Sequence, residues 1–396
     1  MKRRTLMQTL SGLAGAIGLS AAARPRSAHA AKPGFSGDID PRGTIGRLER
    51  LPTLDLESRQ GFLTEFRTWN QRVLYRGARA QADKLCRERG LDPDGDPPLD
   101  QVLAATSNDP MVAVAIQTWL TCQQLTWSSI ADEFHSKSDA YLSEMEATDN
   151  IGPGTLELNP DMMIPDHARH EIHIMPGGYV GDPFAGHIYH YGGNNFNGGR
   201  NDQDEIQAGF ADAVPRPRDG KVLRILDLGC SVGKLTVALK RKYPDAEVWG
   251  IDVGGPLVRY AHMRAVDLGV DVNFAQRLAE DTKFPDQHFD IVTSYILFHE
   301  MPAEISRQVV REAHRVLRPG GVFYPIDYYT GSIPPTKNAA QKLRHWWDYR
   351  WNNEVWWYEY ANLDLGAAME DAGFEVDRNG PRAWIGTSNL LGTRPA

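Results

Sequence analysis

One segment, Val222–Thr236 (VLRILDLGCSVGKLT), limits what this chain can fold into more than any other. Val222 to Leu228 reads as a buried strand, and Leu235 to Lys242 as the start of a helix. Gly229 and Gly233 lie in the turn between them, where glycine lets backbone approach a ligand and the helix start offers unpaired N–H groups. A phosphate-cradling P-loop needs GxxxxGK followed by Ser or Thr. Here Leu228 stands five residues before Gly233 and Leu235 follows Lys234, so that class fails twice. A dinucleotide fingerprint needs GxGxxG, and Ser231 occupies its second glycine position. Neither class explains Asp227, an acid that would repel a phosphate at the strand end.

An acid there suits a ligand carrying an ammonium and a sulfonium, which points to S-adenosylmethionine. Downstream stations agree. Glu247–Asp252 is a second strand that ends in an acid about twenty residues after the turn, placed to accept ribose hydroxyls. Glu280 and Asp281 form a third acidic station, either of which could meet an adenine amine. Ile291 to Phe298 reads as a further strand, and Glu312 to Tyr324 as a helix, a Gly-Gly turn and a strand. Met369–Val376 and Trp384–Thr393 would close the sheet as an antiparallel pair. Strands alternating with helices from Lys221 onward indicate a parallel α/β sheet.

In this order the segments resemble the class I S-adenosylmethionine-dependent methyltransferases, nearest to the ubiquinone/menaquinone C-methyltransferase-like branch. The features that carry the resemblance are the DLGCSVG turn (Asp227–Gly233), the Gly-Ile-Asp strand end at Asp252, Ala279-Glu-Asp281 ahead of Phe284-Pro-Asp286, and Leu317 to Gly321. It covers residues 221–325 well and 365–396 loosely. It implies an α/β fold: a doubly wound, mostly parallel seven-stranded Rossmann-like sheet with a helical N-terminal region. It also implies that Asp227 holds the methionine ammonium, Gly229 and Gly233 give the cofactor room, and Asp252 binds ribose. Cys230, Ser231 and Val253 would line the site, with Glu280 or Asp281 at adenine. Ser231 replaces a common glycine, which is tolerable if its φ is negative.

Methyl transfer needs alignment and, for some acceptors, removal of a proton. His299, beside Glu300 at the end of the Ile291–Phe298 strand, has the pKa range of a base, or is half of a structural His-Glu pair. Tyr295, on the same strand, touches the cofactor or packs in the core. His167, His170, His173, His187 and His190 crowd one glycine-rich stretch. They could ligate a metal, but they lack the i, i+4 spacing of a helical motif, so a polar lid is the reading and no metal is assigned. The aromatic run from Trp346 to Tyr360 either caps a substrate pocket or packs on the N-terminal helices. If it lines a pocket, the acceptor is a small apolar or aromatic molecule.

The chain has 396 residues, enough for a real core. Lys2, Arg3, Arg4, Arg24 and Arg26 are the only charges in the first thirty residues, which leaves −13 of charge on residues 31–396. That surplus argues against non-specific nucleic-acid or membrane-surface binding. Arg3-Arg4, a weakly apolar stretch, and Ala28-His29-Ala30 resemble a twin-arginine export signal over residues 1–30, so the expected location is the periplasm. No later run is long and apolar enough to span a membrane. Residues 31–150 then read as a linker and helical region, 151–204 as a Gly/His-rich loop and hairpin segment, and 205–396 as the methyltransferase domain. Three cysteines make no disulfide framework, although Cys86 and Cys122 could pair in an oxidising compartment. The expected activity is methyl transfer to a small-molecule acceptor. Its rivals are an exported, non-catalytic protein keeping the fold as a binding module, and a nicotinamide-dependent oxidoreductase.

Overall fold

A computed structural model describes residues 51, 53–201, 204–328, 338–384 and 387–396. The expected signal segment, residues 1–30, and nearly all of the linker lie outside the described residues. Five helices come first: α1 (Leu54–Trp69), α2 (Tyr75–Glu88), α3 (Leu99–Thr106), α4 (Pro110–Ser136) and α5 (Ser138–Thr148). A π-helical turn at Asn70–Leu74 joins α1 to α2 without a break. Asp109 caps α4, accepting from the N–H groups of Met111 and Val112, with Pro110 in the first turn. None of the helices among the described residues is long and apolar enough to cross a membrane.

The next stretch holds a two-residue strand, β1 (Leu156–Glu157), and the helix α6 (Ala185–Gly193). The hairpin expected between 151 and 204 does not form. Its candidate strand around Ile172 is a single 3₁₀ turn, and its glycine-rich half is helical. The glycines serve contact there, not reversal: a Cβ on Gly186 would stand 2.2 Å from Tyr260 Cβ, and one on Gly192 2.2 Å from the Trp127 ring. Packing of α6 between two aromatic side chains overrides the weak helix propensity of glycine.

After α7 (Glu205–Ala213) the chain alternates: β2 (Arg224–Leu228), α8 (Lys234–Lys242), β3 (Glu247–Asp252), α9 (Gly255–Leu268), β4 (Asn273–Gln276), β5 (Phe289–Tyr295), α10 (Ala303–Val316) and β6 (Leu317–Ile326). Three helices, α11 (Ala339–Trp351), α12 (Trp357–Asn362) and α13 (Leu365–Asp371), precede β7 (Glu375–Asp377) and β8 (Leu391–Thr393). The sheet order is β1-β4-β3-β2-β5-β6-β8-β7, parallel except for β8, which runs antiparallel to both β6 and β7. The fold is the α/β Rossmann-like sheet expected, with β1 added at its outer edge by pairing with β4. The Gly320-Gly321 pair is no free turn; it is drawn into β6, where the register against β5 slips between Phe289 and Ile291.

Strands β2, β5 and β6 read as continuous apolar runs because both faces are covered. One side packs Leu226, Val292, Phe323 and Phe298 against α10 and α13, and the other packs Ile225, Ile291 and Tyr324 against α7 and α8. Helix α11 docks on the N-terminal helices through Trp347, whose ring meets Trp119 at 5.0 Å, edge-on. Cys86 and Cys122 are separate buried thiols, and Cys122 Sγ donates to the Leu63 carbonyl.

Candidate active site

The carboxyl ends of β2, β3 and β5 open into one cleft, where ligands of open α/β sheets bind. Its floor is the β2–α8 turn. Gly229 (φ +66°) takes a backbone conformation that side chains rarely adopt, and a Cβ there would lie 2.6 Å from Leu297 Cδ1. Gly233 (φ +73°) is likewise obligatory, but its missing Cβ faces Phe274 and Ala261 and not the cleft. Gly233 therefore lets helix and sheet approach each other and does not make room for a cofactor. Ser231 also departs from expectation: its φ is +50°, so a non-glycine residue occupies the left-handed region, at a cost of about 1–2 kcal/mol. Its N–H donates to Asp252 Oδ2 at 2.9 Å, which ties the strained turn to the end of β3.

Asp227, 1% exposed, accepts from Thr236 Oγ1 at 2.7 Å through Oδ2, while its Oδ1 is buried without a partner among the described residues. Burial pushes its carboxyl up to about 7, with the Asp252 charge adding to the effect and the Thr236 bond opposing it. Asp252 is only partly buried. Its oxygens accept from Ser231 N and Gly254 N, and burial raises its pKa too. Each oxygen has a further lone pair for a ribose hydroxyl. An orphaned carboxylate oxygen inside the cleft and an acid at the β3 end fit the ammonium and ribose of S-adenosylmethionine. Cys230 and Val253 line the cleft as expected, and burial holds the Cys230 thiol well above its usual range.

Of the third acidic pair, Glu280 lines the cleft and Asp281 does not. The Asp281 side chain is 51% exposed and pairs with Lys283, so of the two only Glu280 is placed to meet a ligand in the cleft. His167 Nε2 stands 3.9 Å from Glu280 Oε1. His167, His170 and His173 all line the cleft, as a polar lid should. His187 and His190 do not. They sit in α6 among Phe134, Tyr260 and Tyr191, and His190 Nδ1 lies 2.6 Å from the Tyr260 hydroxyl.

The far wall is tyrosine. Tyr295 lines it, packed against Phe210 at 4.8 Å, and Tyr179 and Tyr189 complete it. Burial raises the pKa of all three, so their hydroxyls stay protonated. The sequence reading missed Tyr179 and Tyr189; the one available signal was a tyrosine-rich stretch from 179 to 191. The 346–360 aromatics form no part of the cleft lining. Trp346 and Trp347 pack on the N-terminal helices, while Trp357 and Tyr360 surround His299.

His299 lies one layer behind the wall and is 5% exposed, so it is not placed to meet a substrate. Its Nδ1 bonds Asp327 Oδ1 at 2.8 Å. Burial works against its charge, but Asp327 outweighs it and its pKa is pushed up to about 9. Its neighbour Glu300 does line the cleft, 3.5 Å from His173 Nε2, and His173 Nδ1 bonds Glu354 Oε1 at 2.6 Å. His173 (φ +53°) and Ile174 (φ +52°) are consecutive left-handed residues, held in place because the His173 carbonyl accepts from Trp127 Nε1 and Gln123 Nε2.

Residues 225–321 match the family model described as "Methyltransferase domain". An uncharacterized methyltransferase of Synechocystis is 30% identical over 159 residues, which cover 39% of this chain and 68% of that protein. A demethylmenaquinone methyltransferase of Thermus thermophilus is 36% identical over 116 residues, covering 29% of this chain. The chain spans half the length of that second relative. Among solved structures, the S-adenosylmethionine-dependent methyltransferase SibL in its apo form aligns over 82% of this chain and 96% of its own, at 17% identity and a TM-score of 0.42. With the matched turn, strand ends and sheet order, the chain belongs to the class I S-adenosylmethionine-dependent methyltransferases.

Proposed function

We propose that this protein transfers a methyl group to a small aromatic acceptor, bound where the cofactor cleft meets Tyr179, Tyr189 and Tyr295. The observation that carries the reading is the composition of that wall: three tyrosines beside His170 and His173, continuous with the Asp227–Asp252 floor. S-Adenosylmethionine, when bound, supplies a methyl group on a sulfonium that departs as a neutral thioether. Asp227 would hold its ammonium, Asp252 its ribose, and Glu280 its adenine amine.

The remaining work is alignment and proton removal. Tyrosine faces and edges orient an aromatic ring by offset or edge contacts worth about 0.5–1.5 kcal/mol each. His170 serves as the base. Burial lowers its pKa, so the ring is neutral and able to accept a proton, and its Nε2 has no hydrogen-bond partner among the described residues. The twin-arginine resemblance adds a location: a folded protein exported to the periplasm, which would carry bound cofactor with it. The test is formation of S-adenosylhomocysteine from S-adenosylmethionine in the presence of a panel of hydroxylated and aminated aromatic acids. Turnover with an aromatic acceptor that falls when Tyr189 is replaced by alanine supports the reading. Turnover restricted to aliphatic acceptors, or none with the panel, overturns it.

A further inference from the structure

We propose that His299, Glu300 and Glu354 form a binding site for one divalent first-row transition-metal ion, set behind the wall of the cleft. Each of the three offers a ligand atom, and the three atoms lie within 4.8 Å of one another. Bonds of about 2.0–2.2 Å in a tetrahedral shell put ligand atoms about 3.4 Å apart, so a pair at the 4.8 Å limit has to draw in by about 1.4 Å to close the site.

The orientation of each ligand is already fixed. Asp327, fully buried, holds His299 through Nδ1, which leaves Nε2 turned to Glu300 at 3.5 Å. That separation is long for a hydrogen bond and ordinary for two ligands of one ion. A carboxylate behind a histidine is the usual outer support of a metal-bound imidazole. His173 anchors Glu354 through Oε1 in the same way. The other oxygens are the second observation: Oε2 of Glu300 and Oε2 of Glu354 are both buried without a partner among the described residues, and Glu354 is 8% exposed. A buried carboxylate oxygen left unpaired costs about 1–3 kcal/mol, and a metal bond removes that cost.

The ligands come from two loops. His299 and Glu300 follow β5, and Glu354 follows α11 after Asn353, whose left-handed backbone (φ +56°) turns the chain inward. One imidazole with carboxylates suits Zn²⁺ or Mn²⁺. Glu300 alone of the three lines the cleft, so an ion here would lie behind the wall and reach the cleft through that carboxylate. His299 is then a ligand and not a base. The site does not depend on the methyl-transfer reading.

The full chain, stripped with a chelator, is titrated with Zn²⁺ and separately with Mn²⁺ by calorimetry, and bound metal is counted by mass spectrometry. One equivalent of either ion is expected. Glu300→Gln and Glu354→Gln should each weaken binding at least tenfold, and Asp327→Asn about 10–100-fold. Asp227→Asn should leave it unchanged. Absence of binding by the wild type, or wild-type binding by Glu300→Gln, overturns the proposal. Glu300 is only partly buried, so its variant gives the answer even if Glu354→Gln does not fold. S-Adenosylmethionine affinity read on the same samples separates this site from the cofactor cleft: metal lost with cofactor kept isolates the ligands, and the reverse isolates Asp227.

Discussion

Asp227→Asn should make the ligand-free protein more stable above neutral pH while destroying its grip on the cofactor. The carboxyl titrates near 7 in the folded chain against 3.8 when unfolded, because burial disfavours its charge. A raised carboxyl stabilises the fold fully below the unfolded value, and that contribution is lost as pH rises through the folded value. Between those values the unfolded chain has released a proton that the folded chain keeps, a slope of about 1.4 kcal/mol per pH unit. From pH 5 to pH 8 the wild type therefore loses about 3 kcal/mol at this site. Asparagine does not titrate. It keeps an oxygen for Thr236 and leaves an amide N–H in place of the orphaned oxygen, a constant cost of about 1–3 kcal/mol. Urea unfolding followed by tryptophan fluorescence at pH 5 and pH 8 measures the difference. The variant should gain about 3 kcal/mol on the wild type between the two. A difference between the proteins that stays the same at both pH values would refute the reasoning. Calorimetry supplies the companion result: wild-type affinity for S-adenosylmethionine should fall toward tenfold per unit as pH drops below 7, and the variant should bind weakly throughout.

Ser231→Gly relieves a left-handed serine and should raise stability by about 0.5–1 kcal/mol in thermal or urea unfolding, after allowance for glycine's greater unfolded freedom. Gly233→Ala should cost about 2–4 kcal/mol in the same assay, since its Cβ would lie 2.7 Å from the Phe274 ring on a backbone already at φ +73°. His170→Asn should lower kcat by about 10²–10⁴ for an acceptor that must lose a proton, with cofactor affinity unchanged by calorimetry. Replacing Arg3 and Arg4 together by lysine should hold the protein in the cytoplasmic fraction, checked by fractionation and immunoblot.

The floor of the cleft is legible in the sequence because it is local. A strand, a glycine turn and a helix start are adjacent in the chain, so Asp227, Gly229 and Asp252 are found from spacing alone. The tyrosine wall is not, because contacts distant in the chain decide it. Tyr179 and Tyr189 reach the cleft only after α6 docks on α9, and α6 is hidden by glycines that mimic a loop in one dimension. His299 and Glu300 are neighbours in sequence, yet the chain turns through a left-handed Ile296 so that Glu300 faces the cleft and His299 lies behind it. Ser231 shows a third limit: a pattern names the residue, but the φ angle belongs to the turn that Asp252 ties down.

The wall carrying His167 to Tyr189 and the floor carrying Asp227 come from separate stretches of the chain, and β1 threads the earlier stretch into the sheet beside β4. A recombinant fragment beginning at residue 205 would keep the sheet's central strands and lose one side of its binding chamber. It would also strip β4 of its outer neighbour, leaving a row of bare backbone N–H and C=O groups open to pairing with another molecule. Such a fragment should clump, so the stretch from β1 to Tyr189 is a working part of the binding chamber and no detachable appendage.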